Sequence, residues 1–253
     1  MPILLSELVN YCEELLNVAN FRDYCPNGLQ VEGKRDVNKI VSGVTASQAL
    51  LDAAVELEAD LVLVHHGYFW KGESEPVVGI KQKRLKTLLL NDMSLLAYHL
   101  PLDAHPFLGN NAQLAQRMGW VVTSGLDGEL GKAIGCIGEL PIEQSAEDVC
   151  ACLSQNLARP AQLILGENRP IKRIAWCTGA AQGYIEKAYA AGADLYISGE
   201  ISEQTVHFAK EAGISYIAAG HHATERYGVQ ALGEHLKERF GIEHNYVELN
   251  NPV

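Results

Sequence analysis

The feature that most constrains the fold of this 253-residue chain is a regular alternation of strand and helix patterns. Residues 39–45 (KIVSGVT), 60–64 (DLVLV) and 94–100 (SLLAYHL) are short apolar or β-branched runs, which are typical of buried strands. Residues 46–59 and 80–92, between them, repeat apolar side chains at helical spacing. This order predicts an α/β fold with mostly parallel sheets, because parallel strands are joined by crossovers that are usually helical.

The same pattern occurs a second time later in the chain. Residues 40–61 (IVSGVTASQALLDAAVELEADL) align without gaps with residues 174–195 (IAWCTGAAQGYIEKAYAAGADL), a shift of 134 positions that preserves the apolar pattern. We therefore predict two related α/β modules, residues 1–125 and 168–253, separated by a small insert at residues 126–167. The insert has a strand-helix-strand pattern, and its helix is expected to begin after Ser145.

Composition and charge exclude several classes of protein. The chain is 47% hydrophobic and 20% charged, which is typical of globular domains and not of disordered chains. Its net charge is −11 without a basic run, so duplex nucleic acid is not an expected partner. The apolar N-terminus is interrupted by polar residues at helical spacing, which favours an amphipathic helix over a signal peptide, and no apolar run is long enough to predict a membrane span. The six scattered cysteines are typical of reduced thiols, and we expect a cytoplasmic protein.

Three groups of histidine and acidic side chains follow predicted strands. They are His65 with His66, His99 with Asp103 and His105, and His221 with His222 and Glu225. All three groups fall at predicted carboxyl ends of parallel strands, where open α/β sheets bind their ligands. The sequence therefore places a candidate site at these strand ends.

The residue types in these groups suit a metal. Imidazole nitrogens and carboxylate oxygens are ligands for iron, zinc, manganese and nickel. The predicted ligands are His65, His66, Asp103, His221 and Glu225. His221 and Glu225 share a helix face if a helix begins after Gly220, and Pro101 is expected to leave Asp103 in a loop. Five ligands are too many for one tetrahedral ion and suit two divalent ions about 3.5–4 Å apart.

Other residues near these groups have two interpretations each. His99 and His105 either orient a ligand or bond to the backbone as loop histidines. Glu200, which aligns with His66 in the repeat, is either a base in the cleft or the cap of the next helix. The aromatic segment 68–71 (YFWK) either stacks a base and meets a phosphate, or it packs within the fold or contacts another subunit. The remaining histidines are expected on the surface: His207, His235 and His244.

Five longer motifs are distributed over most of the chain: YCPNGLQVEG, GVTASQALLDAA, VHHGYFWKG, HLPLDAHP and GHHATER. Together they resemble the motifs of the GTP cyclohydrolase 1 type 2 homolog family, and most closely those of its short bacterial, YbgI-like branch. The resemblance is weakest from about residue 123 to residue 170. It implies a two-module α/β protein with a dinuclear metal centre, assembled as a homohexamer from three dimers.

The resemblance also implies a division of the metal ligands. His66 and Asp103 would hold one divalent ion, and His65 and His221 would hold the other. Glu225 would bridge the two ions. All five positions carry the residue that the family pattern requires.

The family name implies a hydrolase that opens the ring of a guanine nucleotide, or of a related nucleotide, and releases formate. Two divalent ions would make a water molecule nucleophilic near neutral pH, and His99 and Glu200 are the candidate catalytic residues for proton transfer. The alternative function is a non-catalytic metal-binding carrier or regulatory scaffold. The expected partners are other copies of the chain and a small-molecule or nucleotide substrate, with no membrane.

Overall fold

The structure is a computed structural model that describes residues 2–253. Its strands in this range are β1 (Ile3–Leu4), β2 (Gly28–Val31), β3 (Asp36–Val37), β4 (Lys39–Thr45), β5 (Leu61–His66), β6 (Ser94–Ala97), β7 (Val121–Gly125), β8 (Cys136–Gln144), β9 (Gln162–Ile164), β10 (Ile171–Cys177), β11 (Leu195–Ser198), β12 (Ser215–Ala218) and β13 (Glu243–Tyr246). Its α-helices are α1 (Leu5–Leu15), α2 (Gln48–Glu56), α3 (Gly79–Leu90), α4 (Leu100–Ala104), α5 (Asn110–Met118), α6 (Ala146–Asn156), α7 (Ile185–Ala190), α8 (Glu203–Ala212) and α9 (His221–Phe240).

The chain folds into two compact units. The first unit contains the residues up to Leu102 together with Gly228–Asn250, and the second contains Asp103–Tyr227 together with Asn251–Val253. The predicted segments 1–125, 126–167 and 168–253 rest on the sequence similarity between the first and the last of them. The division into compact units does not test that relation, and the internal repeat stays a prediction.

The sheet of the first unit has five strands in the order β13-β4-β5-β6-β2. The strands β13, β4, β5 and β6 are parallel, and β2 pairs antiparallel with β6. Val41, Val62 and Leu95 lie side by side on β4, β5 and β6, and all three are fully buried. Continuous apolar strands are expected where both faces of a sheet are covered.

The helix α2 follows β4 and packs on this sheet. The hydroxyl of Ser47 accepts a hydrogen bond from the N–H of Leu50 and so caps the first turn. Leu50, Leu51 and Ala54 are fully buried at helical spacing and pack against the strands. In α3 the pattern differs, because Leu88 is buried whereas Leu89 and Leu90 are exposed.

The sheet of the second unit has six strands in the order β7-β8-β10-β11-β12-β9. The strands β10, β11 and β12 are parallel, and the others pair antiparallel. The segment predicted as a strand-helix-strand insert supplies β8, α6 and β9, of which β8 pairs with β10 and β9 with β12. Helix α6 begins directly after Ser145, as predicted, and the Ser145 hydroxyl accepts from the N–H of Asp148.

Helices cover both faces of this second sheet. Successive residues of a strand face opposite sides, and along β10 Trp176 belongs to one buried cluster whereas Ala175 and Cys177 belong to another. The first cluster includes Leu153 of α6, and the second includes Ile185 of α7. This layering confirms the predicted α/β class.

No helix within residues 2–253 combines the length and the apolar character that crossing a membrane requires.

Candidate metal centre

The first unit places His65 at the end of β5, the middle strand of its sheet. His65 is fully buried, and its Nδ1 atom lies 2.9 Å from the main-chain oxygen of Tyr98. A carbonyl oxygen only accepts hydrogen bonds, so Nδ1 donates the proton and Nε2 of the neutral ring carries the lone pair. An imidazole in this tautomer presents Nε2 as a metal ligand.

His66 is the last residue of β5 and is half-buried. Its Nδ1 atom lies 3.1 Å from Oγ1 of Thr45, the residue opposite it on β4. A hydroxyl can accept or donate this hydrogen bond, so the contact orients the ring and is compatible with the tautomer in which Nε2 has the lone pair. The register of β4 with β5 therefore orients the second imidazole.

A third imidazole, His99, lies two residues beyond the end of β6. The ring centroids of His65 and His66 are 4.6 Å apart, and that of His99 lies 5.1 Å from the first and 5.8 Å from the second. One nitrogen of each ring lies within 4.8 Å of a nitrogen of the other two. The first unit thus gathers three nitrogen donors at the carboxyl end of its parallel strands.

The second unit places His221 and Glu225 on the first turns of α9, at positions i and i+4. Nε2 of His221 lies 3.0 Å from Oε2 of Glu225, and Nδ1 lies 2.7 Å from Oε1 of Glu200. Burial alone would lower the pKa of His221, but the two carboxylates outweigh it and raise this pKa to about 9. In the absence of a metal, the ring therefore carries a proton between two anions.

Asp103 lies on α4 and is almost fully buried in the second unit. Its Oδ1 atom accepts a hydrogen bond of 2.8 Å from the Asn110 amide and one of 3.3 Å from the Thr178 hydroxyl. A carboxylate oxygen of Asp103 lies within 4.8 Å of one of Glu225. Two buried carboxylates at this separation repel each other unless a cation or a proton compensates them.

Gly179 leaves space beside these carboxylates. Its φ is +71°, a conformation that favours glycine. A Cβ atom at this position would lie 2.0 Å from Oε1 of Glu225 and 3.2 Å from Nε2 of His221. Since side chains cannot approach so closely, only glycine keeps the ligand atoms of Glu225 and His221 accessible.

These arrangements fit a divalent transition metal. The donors are imidazole nitrogens, anchored through the other ring nitrogen, and buried carboxylate oxygens. His65, His66, Asp103 and Glu225 thus belong to candidate metal-binding groups.

A family model described as Duf34/NIF3 (NGG1p interacting factor 3) matches residues 3–252. The chain belongs to the Duf34/NIF3 family. A relative in Pseudomonas aeruginosa, named GTP cyclohydrolase 1 type 2 homolog, is 60% identical over 252 residues, and the match covers 100% of both chains. This match confirms the resemblance that the motifs indicate.

Two solved structures have the same fold. A structure described as protein ybgI of unknown function has a TM-score of 0.95 at 48% identity and covers 99% of this chain and 100% of its own. A structure from Thermus thermophilus has a TM-score of 0.90 at 35% identity, with coverage of 99% and 100%.

Two sequence expectations about the site need correction. Asp103 lies in the helix α4 and not in a loop, because Pro101 falls in the first turn, where its missing N–H costs nothing. Glu200 does not cap α8, since the hydroxyl of Ser202 does so by accepting from the N–H of Thr205. Instead, the Glu200 carboxylate accepts a hydrogen bond from His221.

Two of the histidines expected on the surface contact protein groups. His244 is buried, with Nε2 2.7 Å from the Ser42 hydroxyl and Nδ1 2.9 Å from the Glu234 carboxylate. Nε2 of His235 lies 2.6 Å from the hydroxyl oxygen of Tyr11.

His105 follows the backbone alternative, because its Nδ1 accepts from the N–H groups of Phe107 and Leu108. In the aromatic segment 68–71, Tyr68 is buried and its hydroxyl donates to the carbonyl of Ala46. Phe69 is the exposed aromatic residue of this segment.

Four residues that support the site were not identified from the sequence: Asp23, Asn27, Thr178 and Gly179. Asp23 and Asn27 bond to His99, and the other two flank Asp103 and Glu225. A local signal exists for the first pair, since residues 23–28 (DYCPNG) are rich in residues that form turns and bond to nearby backbone. Thr178 and Gly179 come directly after β10, a parallel strand of the second unit, and His65 and His66 likewise lie at the end of the parallel strand β5. This position at a strand end is the sequence signal that could have identified them.

Proposed function

We propose that this chain is a dinuclear metal-dependent hydrolase whose metal ligands are His65, His66, Asp103, His221 and Glu225. The proposal rests on one feature that the three proposed histidine ligands share. Each directs Nδ1 at an oxygen atom, respectively the Tyr98 carbonyl, the Thr45 hydroxyl and the Glu200 carboxylate. An imidazole held in this way presents Nε2 to a metal, and packing alone does not require that pattern three times.

The family pattern assigns these ligands to two ions. In this proposal His66 and Asp103 bind one ion, His65 and His221 bind the other, and Glu225 bridges them. Iron, zinc, manganese and nickel all accept imidazole and carboxylate ligands, so the donor set admits each of these metals. Bound divalent ions would supply the Lewis acidity that makes a water molecule nucleophilic near neutral pH.

The chain itself would supply orientation and proton transfer. The Glu200 carboxylate holds Nδ1 of His221, and we assign to it both the orientation of that ligand and a part in proton transfer. We assign His99, whose ring lies beside those of His65 and His66, to proton transfer at the reacting atoms.

The proposed substrate is a guanine nucleotide or a related nucleotide, because curated relatives carry the name GTP cyclohydrolase 1 type 2 homolog. Hydrolysis would add one water across a carbon–nitrogen bond of the five-membered ring and open it to a formamide. A second water would then cleave the remaining carbon–nitrogen bond of the same carbon and release formate. The formate carbon comes from the ring carbon that the water oxygen attacks.

The test is elemental analysis of protein purified without added metal, followed by a panel of nucleotides and phosphoesters assayed for formate and phosphate. We expect about two divalent ions per chain, and we expect Asp103→Ala and Glu225→Ala to lose both metal and turnover. Glu129→Ala, which removes an exposed carboxylate of the second unit, is the matched control. Turnover that survives the loss of metal would contradict the proposal. Two tightly held ions without turnover of any substrate would favour a carrier or scaffold instead.

We also propose that the protein is cytoplasmic and forms a homohexamer built as a trimer of dimers. Exposed apolar side chains of the first unit support self-association: Val77, Val78, Ile80, Leu89 and Leu90. Light scattering should then give six times the 27.6 kDa mass of the chain. A monomer mass at micromolar concentration would contradict this assembly.

A further inference from the structure

The segment that precedes β2 surrounds His99 with hydrogen bonds. Nδ1 of His99 lies 2.7 Å from Oδ1 of Asp23, and the main-chain N–H of His99 donates to Oδ1 of Asn27 at 2.7 Å. The Asn27 amide in turn donates to Oδ2 of Asp23 at 2.8 Å, and the N–H of Leu100 donates to the same oxygen at 2.9 Å. Both the backbone and the ring of His99 are therefore fixed by one short segment.

Asp23 is well suited to act as an anionic acceptor. Its side chain is 4% exposed, and this burial by itself would raise its pKa. The hydrogen bonds from His99, Asn27 and Leu100 outweigh burial and lower the pKa of Asp23 to about 2. Its carboxylate is therefore ionised throughout the neutral range and accepts the Nδ1 proton of His99.

The rest of the His99 ring is enclosed by other aromatic rings. The indole of Trp70 packs against it edge to face, with centroids 5.0 Å apart, and Nε1 of Trp70 donates to the carbonyl of Gly67. The rings of His65 and His66 lie 5.1 and 5.8 Å away. These contacts restrict rotation of the imidazole, so the Asp23 hydrogen bond sets which nitrogen carries the proton.

We propose that Asp23 is a positioning residue that holds His99 in the Nδ1–H tautomer, so that Nε2 is the proton acceptor beside the histidine pair. The catalytic part of this proposal rests on the proposed hydrolase function. Nε2 takes the proton of the attacking water while Nδ1–H stays bonded to the Asp23 carboxylate, which stabilises the imidazolium. Nε2 then returns the proton to the nitrogen that leaves when the carbon–nitrogen bond breaks.

A cation held by Asp23, Cys25 and His99 is the competing interpretation, because one ligand atom of each lies within 4.8 Å of the others. Burial, with a smaller contribution from the charge of Asp23, raises the pKa of the Cys25 thiol to about 12. A thiol that keeps its proton is a poor metal ligand, since the thiolate is the species that binds. The hydrogen-bonded dyad of Asp23 with His99 is therefore favoured over a third metal site.

The test is solid-state 15N NMR of zinc-loaded protein labelled at histidine, with the His99 signals assigned from His99→Gln. The wild type should show a protonated Nδ1 and an unprotonated Nε2 for His99. In Asp23→Asn the new amide group can donate to Nδ1, so the proton should move to Nε2. Asp36→Asn, an exposed change in the same unit, should leave the signals unchanged. A protonated Nε2 in neutral wild-type His99, or an unchanged tautomer in Asp23→Asn, would overturn the proposal.

A rate measurement adds a second readout. Asp23→Asn should keep the bound zinc but lower the rate of any detected hydrolysis by about 10²- to 10⁴-fold, the usual contribution of a positioned general base. It should also change the pH profile of that rate, which a merely structural role would leave in place. If the wild type holds zinc and hydrolyses nothing, the proposed hydrolase function fails, while the tautomer measurement still decides the role of Asp23. Zinc loss on Asp23→Asn, with the other ligands intact, would favour the third metal site instead.

Discussion

The candidate metal donors of the two units differ in charge. The first unit offers the imidazoles of His65 and His66 at the end of a strand, oriented by a carbonyl and a hydroxyl and without a carboxylate in those contacts. The second offers the buried carboxylates of Asp103 and Glu225 and one imidazole that two carboxylates keep protonated. Negative charge attracts a divalent ion, whereas neutral donors mainly fix the position at which it binds. We therefore expect changes in the second unit to affect metal affinity more than equivalent changes in the first.

The largest effect is expected for Glu225→Gln. This change removes a buried negative charge while keeping the size of the side chain. The expected loss of zinc affinity is on the order of 100-fold or more, because even groups that only support a ligand contribute about 10- to 100-fold. Competition with a chelator measures it, and Glu211→Gln on the surface of α8 is the control. If Glu225→Gln binds zinc as tightly as the wild type does, the Glu225 carboxylate does not contribute to the metal site.

The next effect is expected for Gly179→Ala, which tests the space beside Glu225. The added Cβ would lie 2.0 Å from Oε1 of Glu225, and the left-handed backbone costs roughly 1–2 kcal/mol for any residue with a side chain. Gly192→Ala imposes the same backbone strain, at φ +75°, with no atom within 4 Å of the new Cβ. We expect both variants to lose stability and only Gly179→Ala to lose zinc affinity. Equal affinities in the two variants would show that the space is not required.

A smaller effect is expected when the partners of Nδ1 are changed, and it compares the two units directly. Glu200→Gln removes a charged partner of His221, and Thr45→Val removes a neutral partner of His66. Zinc affinity should fall by about 10- to 100-fold in the first variant and by less in the second. Glu203→Gln, close to Glu200 but exposed, controls for surface charge. A larger loss in Thr45→Val would reverse the predicted difference between the units.

The smallest effect concerns His244, away from the metal ligands. Burial lowers the pKa of His244, although the Glu234 carboxylate partly opposes it. The unfolded chain then binds a proton more readily than the folded one. This contribution to stability is therefore complete above a pH of about 6.5 and is lost as the pH falls toward the folded pKa.

Urea unfolding of the wild type should show a free energy of unfolding that decreases below pH 6.5, by at most about 1.4 kcal/mol per pH unit from this residue. His244→Gln should reduce that slope, whereas His207→Gln, at an exposed position, should not. An unchanged slope in His244→Gln would show that the buried histidine does not titrate on unfolding.

The parts of the fold and site that depend on local pattern could be predicted from the sequence. The strand at Lys39–Thr45 and the start of α6 after Ser145 match their predictions, because apolar period and capping residues act within a few positions. The pairing of His221 with Glu225 followed from helical spacing alone once a helix began after Gly220.

The contacts that were missed depend on residues far apart in the chain. Asp23 and His99 are separated by 76 positions, and Ser42 and His244 by 202. His244 is buried because β13 adds beside β4, a pairing that the pattern of residues 243–246 (EHNY) does not reveal. Tertiary contacts between distant segments decided these positions, and a local sequence pattern does not reveal them.

The most direct test of the account is an anomalous diffraction map of the protein crystallised as purified, without added metal. We expect two divalent ions per chain, bound through Nε2 of His65, His66 and His221 and through the carboxylates of Asp103 and Glu225. Ions bound through Nδ1 of these histidines would contradict it, because those atoms are engaged by Tyr98, Thr45 and Glu200. A map without ions, from protein whose elemental analysis also finds none, would contradict the metal centre itself.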